Sequence, residues 1–234
     1  MKPVRLVALL VVLAGALAVA SPAGGANECD GLMVCIPVEG PWVVVPTSGA
    51  LPRPQVEYQL TCPRGHVVGG LDARLSDRAV DVAFLGTLGS PVNPGISTSR
   101  SVVFVATYVG ASARAPTFKP FIGCMPAAGG GSRVPTSATA FRPGKPTIRR
   151  VRTVRVRPGE TTVTQRCVSS ERLVGASHAL AFATRTPPSV SLVGGLSSSQ
   201  SVRGREVVVQ VRADAELAGV RAVVQVHAVC AVTA

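Results

Sequence analysis

Six cysteines carry the strongest chemical signal in this chain of 234 residues. Cys62 and Cys124 stand 62 positions apart and Cys167 and Cys230 stand 63 apart, and the text around them repeats: QLTCPRGHVVGGLDARL against TQRCVSSERLVGASHAL, then FIGC against VHAVC. Thiols can ligate metal, attack a carbonyl or pair as disulfides. No two cysteines show the two-residue spacing of a zinc site, so metal ligation is disfavoured. Pairing is the better reading if the chain is exported, because an even cysteine count in an oxidising compartment implies a disulfide framework. Six cysteines allow 15 connectivities. Duplicated units call for duplicated bridges, Cys62 with Cys124 and Cys167 with Cys230, which leaves Cys29 and Cys35 to close a small loop of their own. A bridge spanning some 63 residues contributes roughly 4 kcal/mol in the chain-entropy account.

The first twenty residues support export. Lys2 and Arg5 precede an apolar run from Leu6 to Ala20 that ends in Ala18-Val19-Ala20, the layout of a secretory signal peptide cut after Ala20 or as late as Ala26. About fifteen apolar residues are too few for a membrane span, which needs roughly 20. The expected location is secreted, or in the cell envelope, with no transmembrane segment in the mature chain.

Other candidate chemistry is thinner. His66, His178 and His227 are the only histidine bases, and there is no Gly-x-Ser-x-Gly elbow, no His-Glu-x-x-His and no phosphate-cradling glycine loop. Asp72, Asp77 and Asp81 lack the dense oxygen ligands and the glycine of a calcium loop and read as loop surface. No cofactor is implied. The chain carries a formal charge of +12 from 24 basic and 12 acidic residues, and the stretch from Arg142 to Arg157 holds seven basic residues and no acid. Arg149, Arg150, Arg152, Arg155 and Arg157 are the candidate anion-binding residues, for an acidic cell-envelope polymer above all. The competing account is a solvated face, or an edge strand whose charges discourage pairing with another chain. Nucleic acid is disfavoured as a target, because single-strand sites interleave aromatic platforms with basic residues and none of the nine aromatics falls in that stretch. Trp42, Tyr58 and Tyr108 read as core or rim packing before they read as sugar platforms.

The elements that must hold these residues are strands. In Val56–Cys62 the residues Val56, Tyr58, Leu60 and Cys62 share one face, while Glu57, Gln59 and Thr61 share the other. Near the end Ala222, Val224, Val226, Ala228, Cys230 and Val232 share a face, and Arg221, Gln225 and His227 form a polar face opposite. The cysteines thus point inward. Val102–Val109 and Val207–Val211 are matching β-branched runs, Gly86–Ser99 and Thr186–Ser201 read as turn clusters, and Ala213–Val220 reads as a loop. Trp42–Pro46 and Val154–Pro158 look like equivalent first strands. The expected fold is all-β: two tandem β-sandwich domains from an internal duplication, with one disulfide each. Residues 21–35 form an N-terminal segment holding the Cys29–Cys35 loop, domain 1 spans 36–126, a linker rich in Gly, Pro, Ser and Thr spans 127–146, and domain 2 spans 147–234. Such linker composition predicts that the two domains are separable.

The first unit also resembles a family. Cys62, Pro63, Gly65, Gly69 and Gly70 match the Cys-Pro-x-Gly…Gly-Gly motif of uncharacterised secreted proteins of high-GC bacteria, while the second unit departs from it with Val168 and a single Gly175. The resemblance implies export and fold, and brings no activity with it. Taken together, the sequence points to a secreted, non-catalytic binding or structural protein of the extracellular or envelope space. Its partner would be an acidic envelope polymer or another extracellular protein. The rival readings are a secreted hydrolase whose site has no sequence signature, and a secreted protease inhibitor.

Overall fold

The computed structural model describes residues 28–47, 51–85, 100–111, 114–127 and 147–232. The expected leader, the Gly86–Ser99 turn cluster and residues 128–146 of the expected linker lie outside them. Among the described residues the protein is nearly all β. The first half contributes β1 (Ile36–Glu39), β2 (Trp42–Val44), β3 (Gln55–Thr61), β4 (His66–Leu75), β5 (Val80–Leu85), β6 (Ser101–Tyr108) and β7 (Thr117–Pro126). The second contributes β8 (Thr147–Val156), β9 (Gly159–Arg166), β10 (Glu171–Phe182), β11 (Leu196–Arg203), β12 (Glu206–Ala213) and β13 (Ala222–Val232), with a one-turn helix α1 (Val190–Gly194).

The strands form three sheets. Two are three-stranded and have equivalent orders, β3-β6-β5 and β9-β12-β11. The third is seven-stranded, with β1, β7, β2, β10, β13 and β8 in that order and β4 also on β7. The registers of β1 and β2 cover different parts of β7 that β4 also pairs, so β1 and β2 lie end to end along one edge of β7 and β4 lies along the other. The β4–β7 ladder slips at Val68/Gly70 and the β10–β13 ladder slips at the equivalent Leu173/Gly175.

Alternating apolar residues explain why each small sheet packs on the large one. Val56, Tyr58, Leu60, Phe104 and Ala106 meet Val68, Phe118 and Ile122 in one buried cluster. Val163, Val207, Val209 and Val211 meet Val224, Val226 and Ala228 in a second. Cys62–Cys124 and Cys167–Cys230 then tie the end of β3 to β7 and the end of β9 to β13, each joining a small sheet to the large one from the buried side. The bridges number three rather than one per half, because Cys29–Cys35 also belongs to the first half. Its loop rests on Gly70 and Gly123, where an added Cβ would overlap the Glu28 carbonyl oxygen.

Separability, expected from the linker, is not what these residues display. β2 pairs with β7 on one side and, through Trp42–Phe182 and Val43–Ala181, with β10 on the other, so one sheet runs across both halves. Ala179, Ala181 and Val223 of the second half sit in the first core, and Val44 of the first packs against the second. A linker's composition reports on the linker, not on the surfaces that it connects.

Two local expectations also change. The serine-rich stretch 186–201 folds as α1, capped by the Ser189 hydroxyl accepting from Leu192 N–H at 3.3 Å, and as the start of β11. Pairing along all of β12 overrides the weak strand propensity of Ser197–Ser199 and Ser201. Ala215–Gly219 forms a turn of 3-10 helix instead of a loop, and its buried Leu217 closes the end of the second core.

Candidate functional site

Polar side chains that the alternation turned away from the two cores meet each other where the halves dock. β3 ends its small sheet, so its outer backbone groups have no strand partner. The side-chain amide of Gln225 supplies one: the Gln59 N–H donates to Gln225 Oε1 at 2.6 Å and Gln225 Nε2 donates back to the Gln59 carbonyl at 3.2 Å. A buried amide thus does the work of a neighbouring strand residue, which satisfies an edge that would otherwise cost about 1–3 kcal/mol per orphaned group. Gln225 Nε2 also donates to Thr153 Oγ1 on β8 at 3.1 Å.

From Gln225 the network continues inward. His227 contacts Gln225 Oε1 through Nε2 at 2.7 Å and Arg149 Nη1 through Nδ1 at 2.8 Å. Arg149 Nη1 donates to Glu57 Oε2 at 2.5 Å, and the Ser177 hydroxyl donates to the same oxygen at 2.6 Å. A guanidinium has only donors, so Nδ1 of His227 must accept, and its proton sits on Nε2, facing the Gln225 carbonyl oxygen. The neutral imidazole is therefore the form the site accommodates. Burial, with the charge of Arg149 adding and that of Glu57 opposing, pushes its pKa down to about 4. Burial alone would raise the Glu57 carboxyl, but the hydrogen bonds from Arg149 and Ser177 outweigh it and hold the group ionised below the usual range. His227 is fully buried and the serine hydroxyl points at a carboxylate, so this network pins the halves together and offers no nucleophile to solvent.

Thr153 leads out of the network into a groove of about 490 Å³ between the halves. Glu39, Tyr58 and Lys119 line it from the first half, with Arg185, Arg221 and Val223 from the second. Lys119 is buried; it pairs with Glu39, donates to the Thr184 carbonyl at 3.4 Å, and lies 5.7 Å from the Trp42 ring and 5.8 Å from that of Phe121. It is a second pin across the junction. Burial pushes the Tyr58 phenol up to about 12, with the Arg221 charge opposing, so it stays protonated. Arg185 and Arg221 are exposed, and their side chains make no ion pair or hydrogen bond among the described residues.

Four of the five arginines of the basic run divide between the faces of β8, and Arg157 follows its end. Arg149 is held by Glu57 at the junction. Arg150 grips Glu171 with two bonds of 2.7 and 3.0 Å on the opposite face, and Arg152 donates to the Thr164 carbonyl at 3.2 Å. The first of these, more than the Val168 N–H that also reaches Glu171, holds that carboxyl below its ordinary range. Arg155 and Arg157 are exposed, and Arg155 stands opposite Val223 of the groove lining. β8 is an edge of the large sheet.

Cys167, Cys230 and Glu171 lie close enough to suggest a metal site. The two sulfurs are bonded to each other and the carboxylate is occupied by Arg150, so no ligand set is presented. Asp77 caps its turn by accepting from the Ala79 N–H at 2.8 Å, and Asp72 accepts from Ala73 N–H at 2.7 Å. His66 bonds the Arg64 carbonyl at 3.1 Å, and Tyr58 and Tyr108 are buried in the first core. The residues that sequence reasoning missed are Glu57, Gln59, Gln225, Ser177, Lys119, Arg185 and Arg221. Parity put the first three and His227 on polar faces, which signals a face without saying what covers it. No protein-family model, curated protein or solved structure matches the chain.

Proposed function

We propose that this chain is an exported binding protein, built from two copies of one β unit, that holds an anionic polymer along the groove between them. Export rests on the leader-like start and fits three disulfides with no helix, among the described residues, long and apolar enough to cross a membrane. Duplication rests on the matched cysteine spacings, the equal orders of the two small sheets and the ladder slip repeated at equivalent places. Each unit is then a small sandwich that has lost its independence by sharing a sheet with its copy.

The observation that carries the binding reading is the convergence of Arg185 and Arg221, uncommitted to any acid, on one groove built by both halves, in which the Lys119 charge is balanced by Glu39. Arg155 extends the cationic path along β8. The charge is lopsided: residues 147–234 contain twelve arginines and five acids. An acidic chain laid in the groove would gain field focusing from its walls and release counterions, which makes binding steeply salt-dependent. Retention on heparin and on poly-glutamate columns tests this. The double variant Arg185→Gln/Arg221→Gln should elute at clearly lower salt than the wild type, while Arg203→Gln/Arg212→Gln, an equal charge change away from the groove, should move little. Equal shifts for both pairs would reduce the effect to net charge and remove the groove as a site.

A further inference from the structure

A second groove, of about 420 Å³, opens between the halves elsewhere along the junction and is lined by Val44, Pro46 and Val56 from the first half and by His178, Ser198 and Gln200 from the second. We propose that Ser198, His178 and Gln200 form an acyl-transfer site there, with Ser198 as nucleophile, His178 as general base and Gln200 as the residue that orients the imidazole, acting on small carboxylic esters. Strand geometry brings the three together. Ser198 and Gln200 are two apart on β11 and so project from one face, and His178 projects toward them from β10.

The distances match a nucleophile, base and orienter in sequence: Ser198 Oγ to His178 Nε2 is 2.8 Å, and His178 Nδ1 to Gln200 Oε1 is 2.9 Å. The tautomer follows from a third contact. Gln200 Nε2 donates to the Ala176 carbonyl at 3.4 Å, which turns the amide oxygen toward the ring. Nδ1 therefore carries the proton and donates it to that oxygen, and the lone pair on Nε2 faces the Ser198 hydroxyl. A general base needs that arrangement.

In the reaction, Ser198 Oγ bonds to the ester carbonyl carbon as its proton passes to His178 Nε2. The bond from that carbon to the leaving oxygen then breaks, and the alcohol departs with the proton from Nε2. Water attacks the acyl-serine, gives one proton to Nε2, and the carboxylic acid leaves as Ser198 Oγ is reprotonated. The Gln55 side chain lines the same groove, makes no hydrogen bond among the described residues, and is the donor available to the carbonyl oxygen. Because Gln200 is neutral, it orients the ring without stabilising the imidazolium, so turnover is slow. This site shares no lining residue with the polyanion groove.

The test uses the full mature chain, a biotinylated fluorophosphonate and p-nitrophenyl acetate. The expected result is covalent labelling that peptide mapping places on Ser198, abolished in Ser198→Ala and in His178→Asn. Gln200→Glu should raise kcat several-fold and shift the acid limb of the pH–rate profile upward, because a carboxylate stabilises the protonated ring; were His178 not the base, that limb would stay in place. Native disulfide maps and circular dichroism establish folding for each variant. Unlabelled wild type, labelling at another serine, or an unmoved pH limb in Gln200→Glu would each overturn the assignment.

Discussion

Acidification from pH 7 to pH 5 should remove about 2 kcal/mol of folding stability through His227 alone. The imidazole is fully buried, accepts from Arg149 through Nδ1 and takes up a proton in the folded protein only near pH 4, against 6.5 for an unburied ring. A depressed histidine pKa means that the unfolded chain binds the proton first. Stability is complete above about pH 6.5, falls as pH drops, and stops falling below the folded value. At about 1.4 kcal/mol per pH unit the whole gap is worth about 3 kcal/mol, of which about 2 kcal/mol has developed by pH 5. Glu57 acts in the same direction but lower: its depressed carboxyl stabilises above its ordinary 4.5, and that stability is lost as pH falls further. Urea titrations at pH 7, 6 and 5 measure the slope, and His227→Gln, which keeps a donor for Gln225 and an acceptor for Arg149, should flatten it across that window. Equal wild-type midpoints at pH 7 and pH 5, or an unchanged slope in His227→Gln, would refute the assignment of a buried neutral ring.

Gln225→Ala strips a partner from both Gln59 backbone groups and from His227, so it should cost about 2–4 kcal/mol and speed hydrogen exchange at the Gln59 amide; loss of stability without faster exchange there would place the effect elsewhere. Opening Cys167–Cys230 by double alanine substitution should cost roughly 4 kcal/mol from the 63-residue separation, readable as a lower denaturation midpoint. Gly123→Ala should displace the Cys29–Cys35 loop, because the new methyl occupies the place of the Glu28 carbonyl oxygen; proteolysis in 28–35 should become faster while the remaining fold stays resistant. Lys119→Met keeps the stem's packing on Trp42 and Phe121 but loses the bonds to Glu39 and Thr184, and should lower the melting temperature by a few degrees.

The parts of this fold that were legible in the sequence are those governed by neighbours along the chain. In Val56–Thr61 and Ala222–Val232 the period of two sorted core from non-core residues, and the structure buries Val56, Tyr58, Leu60, Val224, Val226 and Cys230 accordingly. Parity cannot say what lies across the other face. Glu57 and Gln59 are well over a hundred residues from Gln225 and His227, and nothing local to either strand distinguishes a polar face awaiting solvent from one awaiting its counterpart. His178 stood alone in the sequence for the same reason, since Ser198 and Gln200 lay in a stretch whose serines read as turn chemistry.

Cysteine spacing, repeated text and the two-residue rhythm of apolar side chains are one-dimensional properties, and they determined a β-rich chain with inward-facing sulfurs before any coordinate was known. The tertiary structure alone decided that β2 reaches across to β10, that Gln225 completes the edge of β3, and that the arginine run divides between Glu57, Glu171 and solvent. The physical reason is that docking is decided by surfaces of matching hydrogen-bond and charge demand, and those demands become adjacent only after each half has folded.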